Sequence, residues 1–255
     1  MSIAGDRYVL AENLSEGWLD AVRLLHDVPG GKVVHLLVRI LDPQREVPEI
    51  RAAAQALVET NNASGRRDFP DIETTRNTIF PTAYARRTRG PKALADYYRA
   101  RYTKELLLGF KENAGGTYFG RIVAYPRADG EQPADQLTNT VRKLRQELRE
   151  AGGSKKSSRY EISVYNETHD TSPMGFPCLA HVSVHLHERR VHLQAIYRNE
   201  SIIERGYGNF LGLAELQAYI ARHARAGVGE LVITAGHAEL DGLKRPVTAM
   251  LKALG

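Results

Sequence analysis

The chain has 255 residues, 42% of them apolar and 25% charged, and a formal charge of +5 at neutral pH. That balance is ordinary for a globular chain able to bury a sizeable core, and it excludes a low-hydrophobicity disordered polymer. No apolar run approaches the roughly 20 residues of a membrane span, and a single cysteine, Cys178, excludes an intrachain disulfide. The basic excess favours anionic partners such as nucleotides. The arginines are scattered and aromatic residues make up only 7%, so nucleic acid is not an expected partner. Met1 to Arg7 lacks a charged segment followed by an apolar one, so no secretory signal is expected and the reading is a cytoplasmic protein.

Asn13-Leu14-Ser15-Glu16-Gly17-Trp18 reads as a capped helix start, continued by Leu19, Val22, Leu24 and Leu25 at helical spacing. Pro29-Gly30-Gly31 breaks it. Val33 to Leu41 is a near-continuous apolar run of strand length, closed by Asp42-Pro43. Pro48 to Thr60 is expected to be helix, with proline in a first-turn position. Residues 61–90 carry Pro70, Pro81 and no period, and read as an irregular loop region. Pro91 to Phe110 is expected as helix, Tyr118 to Pro126 as strand and turn, and Pro133 to Ala151 as helix with Leu137, Val141, Leu144 and Leu148 on one stripe.

Arg159 to Tyr165 and Ala180 to His187 alternate like strands. Glu188-Arg189-Arg190 turns the chain and Val191 to Asn199 returns antiparallel. Asn209 to Ala226 reads as helix and Glu230 to Ala235 as a last buried strand. There are no repeats. The expectation is one mixed α/β (α+β) domain over residues 1–255, a mixed sheet packed by helices.

The chemistry concentrates in the hairpin. A turn centred on Arg189-Arg190 sets His187 opposite His192, His185 opposite Gln194 and His181 opposite Arg198. Cys178 then falls just beyond the pairing, near Arg198 to Ser201. A thiol beside a guanidinium has its thiolate favoured, and the same guanidinium suits bidentate phosphate binding. A single cysteine is also commonly a small buried hydrophobe. Asn209 follows Gly206-Tyr207-Gly208, where an ordinary N-cap is the other reading. His185, His187 and His192 share a face of zinc-ligand type. With no carboxylate fixed behind them they read as interface or surface, so no metal is expected.

The segment from Pro177-Cys178 through Gln194-Ala195-Ile196-Tyr197-Arg198-Asn199 to Gly208-Asn209 resembles the thymidylate synthase family, including the pyrimidine-nucleotide hydroxymethylases. That family carries Pro-Cys, a strand hairpin, Gln-x-x-x-Arg-Ser and a Pro-x-Asn helix start, at the same intervals. Upstream, Arg159 to Asn166 is similar to its Arg-Arg-Ile-Ile-Val-Ser-x-Trp-Asn strand. Phe119-Gly120-Arg121, Tyr125-Pro126 and Asp135-Gln136-Leu137 are similar to further elements, and Lys104-Glu105-Leu106-Leu107 to its Glu-Leu-Leu helix. The resemblance is strongest over residues 100–241 and specific as an ordered set.

The resemblance implies a thymidylate synthase-like fold, a twofold homodimer through the sheet with shared active sites, and transfer of a methyl or hydroxymethyl unit to C5 of a pyrimidine nucleoside monophosphate. Carried over, Cys178 is the nucleophile that adds to C6 and Glu105 relays protons to the base through water. Arg198 binds phosphate, and Arg159 reaches the phosphate of the neighbouring subunit's site. Asn209 reads the base edge, while Gln194 and Asn199 fall on substrate-contacting positions. Glu239 and Asp241 fall on the pair that holds the sugar hydroxyl. The implied cofactor is 5,10-methylenetetrahydrofolate. The chain departs from the pattern at several places: Asn199 replaces a serine, Ser201 the folate-contacting aspartate, Leu179 a histidine and Phe119 a tyrosine. The resemblance therefore also admits a non-catalytic or regulatory pyrimidine-nucleotide-binding protein, or a folate-independent reaction at C5.

Overall fold

The structure, a computed structural model, describes residues 7–101, 116–127, 131–150, 160–172 and 177–255. In chain order the elements are β1 (Tyr8–Asn13), α1 (Leu14–Asp27), β2 (Lys32–Asp42), α2 (Pro48–Ala63), α3 (Ile72–Ile79), α4 (Thr82–Arg87), α5 (Pro91–Arg101), α6 (Tyr118–Val123), α7 (Gln136–Glu150), β3 (Tyr160–Ser163), β4 (Leu179–His187), β5 (Arg190–Ser201), α8 (Tyr207–Ala224), β6 (Gly227–Glu239) and α9 (Lys244–Ala253). A π-helical turn, Ile202–Gly206, leads into α8. The strands form one mixed sheet in the order β1-β2-β6-β5-β4-β3. β1 runs parallel to β2, and β2 and β6 are antiparallel, as are β3 and β4. No helix among the described residues is long and apolar enough to cross a membrane.

The chain divides into two compact units. The first comprises residues 1–76, 196–214 and 230–255. Its core is organised on α1, which Asn13 caps by accepting from the Glu16 amide at 3.0 Å. Leu14, Trp18, Val22 and Leu25 recur at three- and four-residue intervals, so they line one face, and all are fully buried. Trp18 stands edge-on to Tyr207, ring centroids 5.5 Å apart, and its indole donates to the Ile202 carbonyl at 2.8 Å. The sheet's inner side supplies Val9, Val38, Ile40, Leu231 and Ile233. Its outer side carries exposed Tyr8, Leu10, Val34 and Ile196.

Three neighbouring strands of this unit lose their in–out alternation at the same level. In β2, Val33 and Leu36 are buried while Val34 and His35 between them are both exposed, and His35 has φ +63°. In β6, Ala235 and Ala238 are buried and flank the half-buried Gly236 and His237. In β5, Tyr197 and Glu200 are buried and flank Arg198 and Asn199. The pairing Val34 with His237 and Leu36 with Ala235 brackets the irregularity. A Cβ on Gly236 would lie 3.2 Å from the Arg198 carbonyl oxygen, so the strands bulge side by side at a point where only glycine fits comfortably. Each bulge adds one residue, and everything beyond it changes face.

The second unit comprises residues 77–195 and 215–229. Its aromatic core joins Tyr98 to Phe119 at 4.8 Å, Phe80 to Phe119 at 5.8 Å and Phe80 to Tyr219 at 5.0 Å. Val182, Val184, Val191 and Leu193 are buried on the sheet side. Gln136 at the start of α7 clamps β3, donating to the Ser163 carbonyl at 2.8 Å and accepting from its amide at 2.9 Å. The Tyr160 hydroxyl donates to buried Glu147 at 2.8 Å.

Several expectations change. The region 61–90 is not irregular: it holds α3 and α4. Only Ile72 and Ile79 mark α3 as apolar, and its start is set by Asp71 accepting from the Thr74 amide, a cap invisible to periodicity. Tyr118 to Val123 is helix, not strand. Thr117 caps it by accepting from the Gly120 amide at 3.0 Å, and a six-residue element with only Phe119, Ile122 and Val123 buried is too short for its period to distinguish the two. α7 starts at Gln136 rather than Pro133, because Asp135 caps it through the Thr138 amide at 2.9 Å. The hairpin turns on Glu188 and Arg189, both with positive φ (47° and 59°), so His187 pairs next to the turn with Arg190 and not with His192. Strand β1 and helix α9 go beyond the elements read from sequence.

Candidate functional site

Cys178 sits immediately before β4 and is half-buried, followed by fully buried Leu179. Gln194 is half-buried on β5. Both belong to the second unit. Glu105 and Arg159 lie outside the described residues. Among the described residues no group of three or more His, Cys, Asp or Glu side chains is placed to hold a metal ion. His187 and His192 stand edge to face, 6.2 Å apart.

The remaining candidates, Arg198, Asn199, Asn209, Glu239 and Asp241, belong to the first unit. Of these, Arg198 and Asn199 lie on β5, where the bulge decides which way each side chain points. Tyr197 faces the core, Arg198 is exposed, Asn199 is half-buried, and Glu200 turns inward to 2% exposure. A strand of unbroken period two would have sent Glu200 to solvent and Asn199 inward. The Asn199 amide oxygen lies 2.6 Å from Nδ1 of His237, across the bulge of β6.

Asn209 is the third residue of α8 and 3% exposed, so it is not the N-cap. Its Nδ2 donates to Glu200 Oε1 at 2.8 Å. The helix start is held from several sides. The Tyr207 hydroxyl donates to Glu46 at 2.9 Å and meets the Ser15 hydroxyl at 2.8 Å. Gly208 lies so close to α3 that a Cβ would sit 2.8 Å from the Ile72 carbonyl oxygen. The Gly-Tyr-Gly sequence before Asn209 is thus a packing device that fixes where Asn209 stands.

The carboxylates divide by environment. Glu239 pairs with Lys32 at 2.9 Å, and that hydrogen bond holds its carboxyl below the usual range. Asp241 accepts from the amides of Ile203 at 2.8 Å and Glu204 at 3.0 Å, at the start of the π-helical turn. Burial nevertheless outweighs those bonds and pushes Asp241 up to about 6. Glu204, itself buried, is balanced by Arg67 at 2.8 Å and Arg205 at 3.3 Å. Glu200 is the extreme case. Burial pushes its carboxyl up to about 8, the Asn209 bond opposes this, Asp241 adds to it, and Arg205 works against it.

Sequence reasoning missed Glu200, Glu204 and His237. Glu200 follows Arg198 by two residues in a strand, which by alternation places both on the outer face. The signal of an inward glutamate exists only in the bulge. Ser201, where the resembled family carries its folate-contacting aspartate, is a half-buried hydroxyl bonded to Glu239. That position lacks the carboxylate the cofactor contact requires, so the residues present do not fit the implied folate.

No family model matches the chain. Over 158 residues it is 27% identical to a Methanocaldococcus jannaschii protein described as "Putative thymidylate synthase", a match that covers 60% of this chain and 68% of that protein. The similarity supports a thymidylate synthase-like relationship, and the mixed sheet packed by helices is compatible with that fold.

Proposed function

We propose that the chain activates C5 of a pyrimidine nucleoside monophosphate for one-carbon transfer, with Cys178 as nucleophile. The observation that carries this is the ungapped spacing of Cys178, Gln194, Arg198 and Asn209. The similarity to a protein named for the same chemistry supports it. The Cys178 thiolate adds to C6, forming the Sγ–C6 bond and moving the C5=C6 electron pair onto C5. C5 then bonds the carbon of a formaldehyde-level electrophile, whose C=O electron pair moves onto oxygen and takes up a proton; C5 loses its own proton as the Sγ–C6 bond breaks, restoring the double bond and the thiolate, and a methyl product would need a hydride donor besides. Glu105 relays the protons. Arg198, exposed on β5, takes the phosphate, with Arg159 contributing from the neighbouring protomer. Asn209, Gln194 and Asn199 meet the base side, and Glu239 and Asp241 the sugar. The outward Tyr8, Leu10 and Val34 supply apolar surface for the twofold dimer. Because Ser201 does not fit the folate contact, no step is routed through that cofactor.

Tritium release from C5-tritiated UMP, dUMP, CMP and dCMP, with and without methylenetetrahydrofolate, tests the reading. Native protein is expected to release tritium and Cys178→Ala to lose at least a thousandfold of the rate. Release without folate identifies a folate-independent reaction. Nucleotide binding with no release under any condition identifies a non-catalytic nucleotide-binding protein and removes the enzyme reading.

A further inference from the structure

The π-helical turn Ile202–Gly206 joins β5, which carries Arg198, to α8, which carries Asn209. A π-helical turn is an α-helix with one residue inserted, and it persists where its surroundings hold it. Its own cap position, Ser201, makes no side-chain bond to it. The bonds come from elsewhere in the first unit. The Trp18 indole holds the Ile202 carbonyl at 2.8 Å. From just beyond β6, Asp241 gives one carboxylate oxygen to each of two leading amides: Oδ1 accepts from Ile203 at 2.8 Å and Oδ2 from Glu204 at 3.0 Å.

The ionised group serves both amides. A protonated carboxyl, like a carboxamide, keeps one good acceptor oxygen and turns a donor toward the other amide, so one bond is lost. The charged groups around Asp241 are Glu204 on the turn, itself paired with Arg67 and Arg205, and Glu200 on β5. On its own side Glu239 is paired with Lys32 of β2. Burial first, and the neighbouring Glu204 after it, favour a proton and bring Asp241 up to about 6. Each residue of helical phase is worth about 100°, so even a partial change in the winding of this turn swings Asn209 relative to Arg198.

We propose that Asp241 is a positioning residue: as the carboxylate it holds the π-helical turn, and through the turn it keeps Arg198 and Asn209 in one frame for a nucleoside monophosphate. The inference rests on the reading that those two residues meet the same ligand. It gives Asp241 a part, beyond the sugar contact, that needs no sugar hydroxyl. Global stability runs the other way. The carboxyl is raised above its ordinary 3.8, so the folded chain gains from its protonation. A neutral isostere therefore releases the turn without weakening the fold at neutral pH.

Asp241→Asn tests this through three measurements. They are calorimetric affinity for UMP, CMP and their 2′,3′-dideoxy forms from pH 5 to 8, urea unfolding midpoints, and amide hydrogen exchange at Ile203 and Glu204. At pH 7 the variant's midpoint should equal or exceed that of native protein. Exchange at one or both amides should quicken at least tenfold, and every nucleotide that native protein binds should bind about tenfold more weakly, the dideoxy forms included. Native affinity should fall further between pH 7 and 5 than that of the variant, which shares the phosphate's own titration near about pH 6. Dideoxy binding untouched by the substitution leaves Asp241 a sugar contact alone and overturns the inference. So do unchanged exchange at both amides, a lowered midpoint, or parallel pH profiles. If native protein binds none of the nucleotides, the functional reading falls and the inference with it, an outcome distinct from native binding that the substitution leaves intact.

Discussion

Cys178 and Arg198 remain in reach of water, one half-buried and the other exposed, whereas Glu200 and Asn209 are shut away. The two pairs face opposite physical demands. On the proposed reading, a thiol and a guanidinium that meet an arriving dianion gain from staying hydrated. A carboxyl and an amide in a dry pocket have no water to fall back on, so each must satisfy the other or be left with an orphaned polar atom. On that reading the exposed residues carry the chemistry, and the buried pair carries the sensitivity of the fold.

The sharpest way to break that contrast is through pH. Glu200 binds its proton up to about pH 8 in the folded chain, against an ordinary value of 4.5. Its stabilising contribution is therefore fully present below pH 4.5 and is lost as pH rises through 8, a difference of a few kcal/mol. Asp241, raised to about 6, adds the same sign over a lower window. Urea unfolding midpoints measured from pH 5 to 9 should fall more steeply in native protein than in Glu200→Gln. Equal slopes would mean that the pocket is not dry.

Arg198→Ala should do the opposite: leave the unfolding midpoint unchanged and weaken nucleoside monophosphate binding by about tenfold to a hundredfold, the range of a lost charge-assisted hydrogen bond. A drop in stability instead of affinity would assign Arg198 to the fold. The smallest effect is expected at Lys32, 61% exposed and paired with Glu239. Lys32→Ala should shift stability by about 0.5 kcal/mol or less at neutral pH, read from the same urea curves.

Legibility in the sequence followed the same divide. α1 was readable because Asn13, Trp18, Val22 and Leu25 combine a cap with a helical stripe, and β2 because its apolar run has strand length. α3 was not, since a helix held by one aspartate cap and a close approach to Gly208 needs no apolar period of its own. α6 reads equally as strand because six residues, of which Phe119, Ile122 and Val123 are buried, are too few to show a period. At the candidate site, the residues expected to react or bind carried chemically distinctive side chains at fixed intervals. Glu200 carried neither signal, because its role is set by which face of β5 it occupies, and that is decided by pairing with residues more than thirty positions away.

The adjoining bulges of β2, β6 and β5 make that decision collectively. They act as a shared phase shift: Leu36, Glu200 and Ala238 are inward only because all three strands skip one beat at the same level. A one-residue deletion at His35 would put β2 out of phase with its neighbour, turning Val33 outward without touching any site residue. Length changes in these strands are thus coupled across the sheet, and a relative that lost one bulge would have to lose its neighbours too, carrying the residue after Arg198 inward in place of Glu200.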